Sequence, residues 1–204
     1  MTASPRPSLT GKKILDIGGY DGFLLSTMYG ESKTLIDISP HKQFPDIHYI
    51  TGDFLAFDFK EERFDLICAF DVIEHIQRDN DFLEKIINLL SPGGIALLST
   101  PNEKIRIFPS VLQSWVDKKW GHFYRRGYSK QKIQEMIAKR HIQNRLDLEI
   151  AEWNAPWFRF LYFPLRVLWQ FSESVTKKML NRVVLNEVIV QNGDNGYLFI
   201  ILKG

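Results

Sequence analysis

Apolar residues follow two alternating rhythms along the first half of this chain. Five short runs each carry an apolar stretch of strand length: KKILDI (12–17), KTLIDIS (33–39), IHYITGD (47–53), RFDLICAFD (63–71) and IALLSTP (95–101). Such runs predict strands buried on both faces, as in a parallel sheet. Between them, GFLLSTMYG (22–30) predicts a helix. DNDFLEKIINLL (79–90) places Phe82, Leu83, Ile86, Ile87 and Leu90 on one helical face, and SPGG stops it. Strands alternating with amphipathic helices predict an α/β domain with helices on both faces of the sheet.

Beyond residue 102 the rhythm breaks. Residues 102–128 are long, aromatic and basic. SKQKIQEMIAKR (129–140) predicts a helix capped by Ser129, LDLEIAEW (146–153) a sixth strand, and GYLFIILKG (196–204) a closing strand. No repeat or linker interrupts the chain. The reading is one domain, 1–204, with inserts at about 103–128 and 154–190 that cover a substrate or form an interface.

Composition narrows the classes. The 204 residues suffice for one sizeable core. A net charge of +2 gives no nucleic-acid signature by itself. The single cysteine, Cys68, excludes a disulfide framework and reads as a small core residue. The opening MTASPRPSLT has no apolar signal region, and no run reaches the length of a membrane span, so a cytoplasmic location is expected.

Candidate chemistry gathers where the strands end. In an open parallel sheet, ligands sit beyond the carboxyl ends of the strands, near the reversal of strand order. There lie a turn with Gly18, Gly19 and Gly22 after Asp16, then Asp37, Asp53 and Asp71, each behind an apolar run. Asp37, nineteen positions after Gly18, is placed to accept hydrogen bonds from a ribose and would repel a phosphate. The glycine spacing does not fit the G-x-G-x-x-G of a pyrophosphate site. S-adenosylmethionine, a phosphate-free sulfonium cation, suits the acids better. Asp53 would then face the adenine amine, with Phe54 and Phe70 as apolar walls, and Asp16 would hold the turn. Tyr20, Ile38 and Asp71 complete the expected cofactor set.

The pieces ILDIGGYDG, LIDIS, TGDF, FDLICAFDVIEHI, LLSPGGIALLSTPN and HFYRRGYS occur in this order. In this ordered set the chain resembles the class I S-adenosylmethionine-dependent methyltransferases, in the branch of ubiquinone-biosynthesis-type O-methyltransferases. The resemblance covers roughly residues 12–140 and the closing strand. It implies a Rossmann-like, doubly wound sheet of seven strands, mostly parallel with the last antiparallel, and S-adenosyl-L-methionine as cofactor. Many members carry Gly where Tyr20 stands, a position that can meet the cofactor through its backbone.

Methyl transfer to a hydroxyl needs positioning and a proton acceptor. His75, in DVIEHI, and His122, in WGHFYRRGYS, are the candidate bases. Asp71, Glu74 and His75 would share one face of a helix, and His122 would add a fourth ligand for a divalent metal. That use is not favoured, because relatives with a metal often have the longer Glu where Asp71 stands.

Only Met1–Gly11 precede the first predicted strand, so the inserts are expected to cover the site. In residues 153–171 eight of nineteen side chains are aromatic, too many for a solvated loop. Past Pro164, Leu165, Leu168, Trp169, Ser172, Val175, Met179 and Leu180 follow a helical stripe. Three uses fit: packing on the sheet or in a homodimer, peripheral contact with a membrane, or a lid over an apolar acceptor. The last two favour a lipid-like acceptor, within a wider expectation of a small molecule. The basic run DKKWGHFYRRGYSKQK raises RNA methylation as an alternative, but nucleic acid is disfavoured because no second basic stripe accompanies it. A non-catalytic, partner-binding subunit is the rival of another class.

Overall fold

Alternate side chains of the first strand go to opposite faces of the sheet and into two different apolar clusters. Leu15 and Ile17 enter one, and Ile14 enters the other. In the computed structural model, the structure describes residues 12–104, 127–153, 189–190 and 196–204, with isolated positions between 111 and 125 and between 164 and 179. His122 and most of the 154–190 insert therefore lie outside the described residues.

The elements run β1 (Lys13–Ile17), α1 (Phe23–Ser26), β2 (Ser32–Asp37), β3 (His48–Thr51), β4 (Phe64–Phe70), a 3₁₀ turn (Ile73–His75), α2 (Asp79–Leu89), β5 (Leu90–Pro101), α3 (Lys130–Asn144), β6 (Leu146–Trp153), β7 (Ile189–Val190) and β8 (Gly196–Lys203). They form one sheet in the order β3-β2-β1-β4-β5-β8-β6-β7. Neighbours from β3 to β5 are parallel, and β8 is antiparallel to both β5 and β6. All seven expected strands form, with the closing strand antiparallel. The two-residue β7 at the far edge, antiparallel to β6, was not expected. Strand order reverses between β1 and β4, so the carboxyl ends of β1, β2, β4 and β5 share one rim.

Local chemistry accounts for the main departures. Helix α1 is four residues long rather than nine. Thr27 and Ser26 both turn their hydroxyls back onto backbone carbonyls, of Leu24 at 2.7 Å and Phe23 at 2.7 Å, a habit that competes with helix propagation. Helix α2 ends at Leu89, as SPGG predicts. The strand starts at once, and Ser91–Gly94 bulge out of it, since pairing jumps from Phe64↔Leu90 to Leu66↔Ile95. Ser129 does cap α3: its Oγ accepts the Lys132 N–H at 3.3 Å.

Phe82, Leu83, Ile86 and Ile87 of α2 pack with Leu15, Ile17, Ile67, Ala69 and Leu98 of the sheet. Asp79 and Asp81 at its first turn complement the helix dipole. Ile133, Met136 and Ile137 of α3 extend the same cluster toward β6. The other face holds Ile14, Leu25, Leu35, Ile47, Leu66 and Cys68. Cys68 is buried as expected, and burial, with Asp16 nearby, pushes its thiol up to about 12, so it stays protonated. Among the described residues no helix is long and apolar enough to cross a membrane.

Phe82 is fully buried, with its ring edge-on to Phe54 at 5.2 Å. Phe82→Ala is expected to lower the unfolding free energy by about 3–5 kcal/mol. Urea unfolding reads this as a lower midpoint at unchanged m. A loss below about 1 kcal/mol would mean that the α2 face does not carry the core.

Candidate functional site

The glycine turn between β1 and α1 is built around a carboxylate. Gly18 and Gly22 both have φ of 74°, the left-handed region that favours glycine. Gly19 serves differently: a Cβ there would lie 2.1 Å from Asp16 Oδ2. A Cβ on Gly18 would lie 2.6 Å from Val72 Cγ2. The bare backbone of the turn thus first makes room for the chain's own Asp16 and Val72. Gly22 N–H closes the turn on Gly19 C=O at 3.0 Å, and Gly18 N–H bonds Ile36 C=O at 2.8 Å, tying the turn to β2.

Tyr20 also sits at positive φ, 47°, which explains why glycine suits that position. Its N–H donates to Asp37 Oδ2 at 3.2 Å, and its exposed ring stacks on His41 at 6.0 Å between centroids. Asp37, at the end of β2, also accepts the Ser39 N–H on Oδ1 at 2.7 Å. Each oxygen keeps a lone pair for another donor. Ile38 beside it is 79% exposed, an apolar surface open to a ligand.

Asp16, Asp21 and Asp37 crowd this rim, and none is ion-paired among the described residues. Asp16 is 3% exposed, and burial first, then the charges of Asp37 and Asp21, push its carboxyl up to about 7. Sequence reading passed over Asp21, though it stands inside the glycine turn. Three acids without an ion-pair partner among the described residues, one of them near its own pKa at neutrality, suit a cationic ligand without phosphate. The residues present therefore fit S-adenosylmethionine and do not fit a pyrophosphate.

The remaining expected residues divide. Asp53, exposed behind β3, accepts the Leu55 N–H at 2.8 Å and keeps its outer oxygen available. Phe70 is half-buried at the end of β4. Phe54 is no wall of an open site: it is 5% exposed and packs inward against Phe59 and Phe82, with the Lys85 ammonium over its ring. Lys85 is held there by the carbonyls of Leu55 at 3.1 Å and Phe57 at 2.5 Å, so the turn after β3 folds onto α2.

The loop after β4 likewise departs from the expected helix. Asp71 has a φ of 54°, and its N–H and carboxylate are both bonded to Ser99 of β5, the latter at 2.8 Å. Glu74 turns inward, fully buried, and accepts the Thr100 hydroxyl at 3.2 Å. Desolvation, then the Asp71 charge, pushes its carboxyl up to about 8. His75 is half-buried, with Nε2 3.9 Å from Glu74 Oε1. That separation is too long for a hydrogen bond. A Glu74 protonated at neutral pH makes no ion pair there. Asp71, Glu74 and His75 thus do not share a face, because only Ile73–His75 turn helically and Asp71 lies before them. Among the described residues no group of three or more His, Cys, Asp or Glu is arranged to hold a metal.

Comparison with known proteins comes to the same chemistry. A family model described as "Methyltransferase domain" matches residues 2–147. A ubiquinone biosynthesis O-methyltransferase of Rickettsia bellii is 24% identical over 148 residues, 64% of this chain and 61% of that protein. One of Schizosaccharomyces pombe is 32% identical over 110 residues, 47% and 40% respectively. The chain thus spans about two fifths to three fifths of these relatives' length. Among solved structures, Haemonchus contortus phosphoethanolamine N-methyltransferase 2 in complex with S-adenosyl-L-methionine matches with a TM-score of 0.66 at 19% identity, over 97% of this chain and 50% of that one. The plantazolicin methyltransferase BpumL matches with a TM-score of 0.61 at 14% identity, over 94% and 76%. At these identities the structures share the fold.

Between pH 3.8 and about 7 the folded chain keeps a proton on Asp16 that the unfolded chain has released. A carboxyl raised on folding makes stability fall as pH rises through that window. The stability of the parent relative to Asp16→Asn is therefore expected to decline from pH 5 to pH 8 in urea unfolding. A difference independent of pH would show that Asp16 titrates normally.

Proposed function

The chain belongs to the methyltransferase domain family, with the fold of the class I S-adenosylmethionine-dependent methyltransferases, and from that membership we propose that it methylates a hydroxyl on a small or lipid-like acceptor. The observation that carries the cofactor reading is the carboxylate cluster of Asp16, Asp21 and Asp37 at the switch point of the sheet, with no ion-pair partner among the described residues. When bound, S-adenosylmethionine supplies an electrophilic methyl group on a sulfonium.

Each residue then has a task. Asp37 accepts from the ribose hydroxyls. Gly18 to Gly22, with Tyr20 in its left-handed conformation, offer main chain to the nucleoside. Ile38 and Phe70 flank the base, and Asp53 accepts from its amine. Asp71 fixes the rim through Ser99. His75, in the loop after β4, takes the proton of the acceptor hydroxyl, and His122 is the second candidate for that role. The hydroxyl class rests on the ubiquinone biosynthesis O-methyltransferases among the relatives.

A lipid-facing use of the 154–190 insert is supported by three described side chains. Phe171, Val175 and Met179 are each four residues apart, helical, and 81%, 47% and 41% exposed. Four-residue spacing aligns them on one helix face. Such an apolar stripe suits a membrane surface near a lipid-like acceptor.

Asp37→Ala is expected to weaken S-adenosylhomocysteine binding at least several-fold in calorimetry, since a charged hydrogen-bond acceptor is worth about 1.5–3 kcal/mol. An unchanged affinity removes Asp37 from the ribose. Labelled-methyl transfer should enter the lipid or small-molecule fraction of a host-cell extract, and label confined to RNA or protein would refute the acceptor class. Flotation with anionic vesicles should weaken when Phe171 and Val175 are replaced by serine. A concentration-dependent dimer with no flotation would assign the stripe to a second copy instead.

A further inference from the structure

The loop between β4 and α2, residues 71–78, carries His75 but has little regular hydrogen bonding of its own. Beyond Asp71, whose N–H bonds Ser99, its N–H groups make short turns, such as His75 N–H to Val72 C=O at 2.9 Å. The carbonyls of Ile76 and Gln77 are met from elsewhere. Arg125, 49 residues further along the chain, donates Nη1–H to Ile76 C=O at 2.9 Å and Nη2–H to Gln77 C=O at 3.3 Å. The same guanidinium pairs with Asp79 Oδ2 at 2.9 Å, lies over the Tyr128 ring and bonds the Tyr128 hydroxyl. Tyr128 in turn donates to Asp79 Oδ2 at 2.9 Å and lies within 3.4 Å of Ile73 C=O.

The anchor for this arrangement is firm. Tyr128 is 3% exposed and belongs to the main apolar cluster. Its N–H bonds Pro101 C=O at 3.0 Å, and its C=O accepts the Glu103 N–H at 3.1 Å, so the returning chain is stitched to the end of β5. Gly127 permits this: a Cβ there would meet Pro101 O at 2.0 Å. Burial, with Asp79 as hydrogen-bond partner, pushes the Tyr128 hydroxyl well above its usual range, so it remains a donor.

We infer that Arg125, seated on Tyr128, is a positioning residue that latches the His75 loop to the returning end of the 103–128 insert and so fixes the acceptor side of the site. A planar guanidinium fork can span two successive carbonyls and a carboxylate at once, which a lysine ammonium cannot do in the same geometry. The loop is thereby over-determined at Ile73, Ile76, Gln77 and Asp79, on both sides of His75. The catalytic meaning rests on the proposed role of His75, whereas the latch itself is a statement about the loop.

The test uses the full chain labelled at histidine, with His75→Gln to assign the His75 imidazole resonance. In Arg125→Lys, amides of residues 73–77 should exchange at least about tenfold faster, while those of Leu15 and Ile67 change less than about twofold. The His75 resonance should move, and S-adenosylhomocysteine affinity should stay within about twofold in calorimetry. Tyr128→Phe should reproduce the loop-limited effect. An unmoved His75 resonance with unchanged loop exchange overturns the latch, and so does faster exchange spread equally over β1 and β4. Failure of the parent chain to bind S-adenosylhomocysteine would sink the cofactor reading instead, because the exchange measurement needs no cofactor.

Discussion

Three carboxylates stand close together where β1 and β2 end, and none has an ion-pair partner among the described residues. Like charges at such distances are costly, and burial of one of them adds to the cost. The structure relieves this by keeping a proton on Asp16 and by giving the oxygens of Asp37 two backbone N–H partners. The turn that holds them is unusual for the same reason. Gly19 has no side chain because the Asp16 carboxylate occupies that space, and Tyr20 accepts a left-handed backbone because its N–H must reach Asp37. Backbone strain that persists at a rim of this kind is commonly retained for a ligand. A cation arriving there converts a liability into binding energy.

The rest of the fold serves that rim. Parallel pairing of β1 with β2 and β4 brings three strand ends together, and two apolar clusters on opposite faces keep the strands in register. The loop after β4 is less regular. It leaves β4 through a left-handed Asp71, makes one 3₁₀ turn and enters α2. It is held by Ser99 and Thr100 of β5 on one side and by Arg125 and Tyr128 on the other. The glycine-turn rim and the loop after β4 are therefore stabilised by different physics: crowded charge and tight turns in one, satisfied carbonyls in the other.

The sequence by itself determined the strands, their burial and the strand-end position of Asp16, Asp37, Asp53 and Asp71. These follow from period and from local turn chemistry, which act within a few residues. Ser129 as a cap and the stop after Leu89 were legible for the same reason. Tertiary structure alone decided the facing of side chains outside regular elements. Phe54 turns into the core because Lys85 and Phe82 receive it, and Asp71 parts from Glu74 and His75 because it is itself left-handed and lies before the 3₁₀ turn that holds them. It also decided which distant groups meet: Val72 over Gly18, Ser99 on Asp71, Arg125 on the carbonyls of Ile76 and Gln77. Such contacts join residues tens of positions apart, and no local pattern encodes which carbonyl an arginine will reach once the chain has folded back.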